Sequence, residues 1–162
     1  MRVITEDRMK LFSKMEERFE KKDKDYFVKL LNHDDYVVRT RATCILVDFG
    51  GEDKVQYISK VLKNDLNELV RHEAAFSLGQ MGYSSGIEAL EDATKNDSSM
   101  FVRHEAAIAL GVIGSKDATQ TLQKALHDPD KPVVESAVVA LSNIEFMDKL
   151  GTNEKFAKLT GG

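Results

Sequence analysis

Tryptophan is missing from this chain, proline occurs twice and cysteine once. No apolar run approaches the roughly 18 residues that a membrane span requires. The single Cys44 excludes an internal disulfide and agrees with a reducing compartment. Its position in a packing segment suits a small buried hydrophobe better than a nucleophile. The opening stretch, MRVITEDRMK, lacks the apolar core of a secretory signal, so a cytoplasmic location is expected. Net charge is −4, and no group of Lys or Arg is free of interleaved acids. That argues against nucleic acid or an anionic membrane as partner and leaves room for a cationic ligand. Nothing in the chain has the pattern of a strand. With 42% hydrophobic and 31% charged residues over 162 positions, one domain can bury a core and stay soluble.

What the chain does have is a phrase that repeats almost letter for letter, VRHEAAFSLGQMG from Val70 and VRHEAAIALGVIG from Val102, starting 32 residues apart. Weaker copies run from Val37 (VVRTRATCILVDFG) and Val133 (VVESAVVALSNIEF), which makes four units. A fixed period of this size marks a stacked array. Each unit has helical spacing twice. A first helix carries Val55, Ile58 and Leu62, or Ile87 and Leu90, or Leu122 and Leu126, and ends at a polar turn such as Lys63-Asn64-Asp65 or His127-Asp128-Pro129. A second helix follows, with Leu69, Val70, Ala74, Leu78 and Met81 on one face and Gly82 or Gly114 as its stop. Pro132 suits the first turn of the last second helix. The expected fold is all-α, a short α-solenoid of four helical-hairpin repeats with a 32-residue period and an N-terminal capping helix. The expected domains are a charged cap over 1–25, with Met9, Phe12, Met15 and Phe19 along one side, a repeat domain over 26–147, and a C-terminal tail over 148–162.

The two inner units carry His72-Glu73 and His104-Glu105 at one position of the repeat, where the outer units have Thr40-Arg41 and Ser136-Ala137. Helices pack about 8–10 Å apart, so two imidazoles on equivalent turns can share one ion. With a neighbouring carboxylate they form the 2-His-1-carboxylate set of non-haem Fe(II), although spacing leaves Zn and Ni open. A duplicated unit also copies residues that do nothing, and Arg71 and Arg103 suit a polar ladder between repeats. His33 and His127 fall in the turns of outer units and are expected to be exposed, without a site.

Residues 35–147 resemble HEAT-like repeats of the phycobilisome-lyase type. In particular, LVRHEAAFSLGQMG followed by FVRHEAAIALGVIG, flanked by repeats without the pair, is similar to one half of the deoxyhypusine hydroxylase family. The resemblance implies a non-haem di-iron site that activates O₂ to hydroxylate a modified lysine on a translation factor. It implies His72, His104 and Glu105 as iron ligands and Glu73 facing the substrate's amine. That family has four His-Glu motifs and this chain has two, so the resemblance further implies a homodimer that unites two half-sites. The other reading is a non-enzymatic scaffold binding a protein partner on its concave face. A chromophore-handling role is a third, suggested by the repeat type alone.

Overall fold

The computed structural model describes residues 5–150. Of the tail expected over 148–162, residues 148–150 continue α9 and residues 151–162 lie outside the described residues. Among the described residues there are nine α-helices and no strand. These are α1 (Glu6–Glu20), α2 (Lys24–Leu30), α3 (Tyr36–Asp48), α4 (Val55–Asn64), α5 (Glu68–Met81), α6 (Ile87–Asn96), α7 (Met100–Ile113), α8 (Thr119–Ala125) and α9 (Lys131–Leu150). Pairs α2/α3, α4/α5, α6/α7 and α8/α9 pack as hairpins, and the second helices α3, α5, α7 and α9 stack side by side as one layer. The chain is thus the all-α solenoid that its period predicts. Among the described residues no helix is long and apolar enough to cross a membrane.

Local chemistry sets the element ends. Asp35 and Asn67 cap α3 and α5 by accepting from the backbone N–H of Val37 and Leu69, at 3.0 and 2.9 Å. Gly82 and Gly114 end α5 and α7 in the left-handed region, φ 69° and 72°, where a side chain is disfavoured. The charged stretch 5–25 contains α1 and the start of α2. Lys22, at φ 54°, turns the chain between them and Asp23 caps α2. Of the expected α1 stripe, Met15 is buried in the core and Phe12 packs against it, while Met9 and Phe19 stay exposed. The Phe19 ring instead meets the edge of Phe49 at 5.6 Å.

Between repeats runs a ladder of arginines. Arg39, Arg71 and Arg103 each donate from Nε to the aspartate of the next inter-helix turn, Asp65, Asp97 and Asp128, at 2.7, 2.7 and 2.8 Å. Each also donates back to a carbonyl of its own turn, His33, Asp65 or Asp97. The same aspartates accept a backbone N–H two residues on, from Asn67, Ser99 and Asp130. In the first turn His33 stands at this position, half-buried, and its Nδ1 accepts from the Asp35 N–H at 3.0 Å.

The second helices approach closely where the repeat has glycine. A Cβ on Gly79 would lie 2.9 Å from Ala109 Cβ, and one on Gly111 would lie 2.6 Å from Ala140 Cα, both inside contact distance. At the equivalent position of the last helix stands Asn143, whose Nδ2 donates back to the Gly111 carbonyl at 2.8 Å. This close stacking brings the side chains of successive units onto one face.

Candidate functional site

His72 and Glu73 sit early on α5, and His104 and Glu105 sit early on α7, one turn beyond Leu69 and Phe101 respectively. Spacings of three and four residues put all of them on one face of the second-helix layer. The contacts formed there join one repeat to the next. His72 Nε2 lies 3.4 Å from Glu105 Oε2. His104 Nδ1 lies 2.6 Å from Ser136 Oγ on α9. Glu73 lies close enough to the Cys44 thiol on α3 for its carboxylate to raise the thiol's pKa. The structure therefore pairs each residue with a neighbouring unit and not with its sequence neighbour.

The electrostatics of the face follow from desolvation. Burial raises the Glu105 pKa, and the Glu73 charge adds to this, against the lowering influence of His72 and His104. Glu73, His72, His104 and Glu105 thus lie within electrostatic reach of one another. Cys44 is half-buried, and burial together with the Glu73 carboxylate pushes its thiol up to about 12. That value suits an inert thiol and not a nucleophile. His72 Nδ1 is buried without a hydrogen-bond partner among the described residues. His127 is exposed and takes no part.

The donor set of this face fits a divalent metal by type: two imidazoles and two carboxylates within electrostatic reach of one another, one of them largely desolvated. By arrangement within one chain it falls short. Among the described residues no group of three His, Cys, Asp or Glu side chains is disposed to hold a metal ion. Sequence reasoning passed over two participants, Ser136 and the contact between Cys44 and Glu73. Ser136 follows His104 by 32 residues, so the repeat period itself carried that signal.

Human deoxyhypusine hydroxylase, solved in complex with glycerol, matches 82% of this chain at 30% identity with a TM-score of 0.74. The match takes in 46% of the hydroxylase, so this chain spans about half its length. The complex of CpcE and CpcF of phycocyanin lyase from Nostoc matches 85% of this chain and 58% of its own at 20% identity, with a TM-score of 0.66. An engineered protein matches 74% of this chain and 62% of its own at 24% identity, with a TM-score of 0.55. These last two share the fold. No curated protein sequence matches the chain. The family model for HEAT repeats matches residues 55–142, more than half of the sequence and the span that holds both His-Glu pairs. With its helical hairpins, its 32-residue period and that match, the chain belongs to the HEAT-repeat family.

Proposed function

We propose that this chain forms one half of a deoxyhypusine hydroxylase-like enzyme, in which a homodimer unites two His-Glu half-sites around non-haem iron. The observation that carries the reading is the contact between His72 Nε2 and Glu105 Oε2 at 3.4 Å, a donor pair contributed by adjacent repeats and partly withdrawn from water. Similarity to human deoxyhypusine hydroxylase across 82% of the chain supports it.

In this reading His72, His104 and Glu105 are the metal ligands, and a second copy makes up the donors that one chain is short of. Bound iron would supply the activation of O₂ that hydroxylation needs. The protein's own part is positional and electrostatic. Glu105, costly as a buried charge, becomes favourable beside a cation. Glu73 accepts the ammonium of an amine-bearing side chain by a charge-assisted hydrogen bond. Leu69 and Phe101, 51% and 58% exposed one turn before each pair, form the apolar rim on which the second copy seats. The single cysteine suits a cytoplasmic setting.

The same rim favours a second reading, a scaffold that holds a protein partner without chemistry, since Leu66 beside it is also almost fully exposed. Sedimentation and iron analysis on one sample, reconstituted with Fe(II), separate the two. A dimer with about two Fe, both lost in the His72→Ala, His104→Ala double variant, is the expected outcome. A metal-free monomer sinks the hydroxylase reading.

A further inference from the structure

We propose that Ser136 is a positioning residue that holds His104 in the Nδ1–H tautomer, leaving Nε2 as the ring nitrogen with a free lone pair. Ser136 lies in the closing repeat, where the His-Glu pair is replaced by Ser136-Ala137. Its side chain nevertheless faces the site. It is 3% exposed, so water does not compete for its single hydroxyl proton.

That proton goes to the Pro132 carbonyl, 2.8 Å away and one helical turn back on α9. The serine oxygen is then an acceptor, and it lies 2.6 Å from His104 Nδ1. The Pro132 oxygen itself lies 3.4 Å from the same nitrogen. Nδ1 therefore faces two oxygen acceptors. A bare Nδ1 lone pair would be repelled by both, whereas an Nδ1–H satisfies them together, and which nitrogen is protonated follows from the bond the ring makes on that side. Pro132 makes the device rigid, because its fixed φ holds the first turn that presents this carbonyl.

His72 is held differently. Its Nδ1 is buried without a partner and its Nε2 is turned toward Glu105. One histidine is thus oriented by a carboxylate and the other by a hydroxyl and a carbonyl, as ligating imidazoles commonly are through their second nitrogen. The tautomer follows from these contacts alone. Its purpose, keeping Nε2 bare for an incoming ion, rests on the metal reading proposed above.

Proton–nitrogen correlation spectra of the nitrogen-labelled full chain, without metal and at a pH where imidazole is neutral, report the tautomer of each ring. The His104 signals are assigned by their loss in His104→Gln. The wild type is expected to show a protonated Nδ1 and a bare Nε2 on His104. Ser136→Ala should shift that ring toward Nε2–H, the form free imidazole side chains favour, and Ser136→Thr should restore the wild-type pattern. Titration with Co(II) should show affinity weakened by about 10- to 100-fold in Ser136→Ala. An Nε2–H ring in the wild type, or an unchanged tautomer in Ser136→Ala, overturns the proposal, and equal Co(II) affinity overturns its purpose. A Ser136-dependent tautomer in a protein that binds no Co(II) upholds the positioning role and removes the metal reading instead.

Discussion

His72 Nε2 stands 3.4 Å from Glu105 Oε2, across the seam between two repeats. With 12% of its side chain exposed, the carboxylate is largely desolvated, and burial raises its pKa even though His72 and His104 pull the other way. Such a group is kept at some expense in stability. A cation beside it, whether a proton on His72 or a metal ion, relieves that expense.

Glu105→Gln is therefore expected to stabilise the metal-free protein near neutral pH, by about 1 kcal/mol. The folded pKa lies above the unfolded one, so the stability linked to the bound proton is full below the unfolded value and is lost as pH rises through the folded value. Urea unfolding should find the gain at neutral pH and little difference in acid. A Gln variant less stable at neutral pH would mean that the charge supports the fold.

The arginine ladder should carry far more stability than the exposed pairs on helix surfaces. Arg71→Ala leaves Asp97 part-buried without its guanidinium and is expected to cost about 2–3 kcal/mol. Lys149→Ala, which removes an exposed pair with Glu145, should leave stability essentially unchanged. Burial pushes the Asp65 and Asp128 carboxyls up, but their arginine hydrogen bonds, a backbone N–H and the guanidinium charges outweigh it and hold both below the usual carboxylate range. Their contribution is present above the unfolded pKa and is lost as pH falls through the lowered folded values. Acid titration of stability should lose part of its slope in Asp65→Asn.

Leu69→Glu combined with Phe101→Glu should leave the fold intact, since both side chains are more than half exposed. If the rim seats a second copy, sedimentation should find a monomer and iron analysis a matching loss of metal. A double variant that remains dimeric moves the interface elsewhere.

Cys44 should be slow to alkylate. A thiol at about 12 carries on the order of a thousandfold less thiolate at mild pH than a free cysteine near 8.5. Its reaction with iodoacetamide should climb about tenfold per pH unit well past the free thiol's plateau. Glu73→Gln should hasten it, because the neighbouring carboxylate is one cause of the raised value, and Glu105→Gln should not.

Much of the fold was legible because the repeat states each helix four times, so that Val70 and Val102, or Gly82 and Gly114, corroborate one another. A polar ladder between repeats was legible in Arg71 and Arg103, but the aspartate each would meet was not, since Arg71 and Asp97 stand 26 residues apart and only stacking brings them together. The His-Glu pairs stood out as a motif, whereas their partners lie one repeat away. Glu73 lies near Cys44 and His104 contacts Ser136, and a residue type as common as serine gains meaning only from its offset of one period. In the α1 stripe Phe19 stays exposed and meets Phe49 in an edge contact, a pairing that helical spacing alone does not encode.

Asn143 bears on how such an array can grow. At Gly79 and Gly111 the missing side chain lets the following helix come close, and Asn143 fills the corresponding spot while tying itself to the Gly111 carbonyl. A further unit joined after α9 would meet an amide where its neighbours met open backbone. Lengthening by duplication of an inner unit, the kind that carries a His-Glu pair, would keep the close approach, and each insertion would multiply the pairs along the face.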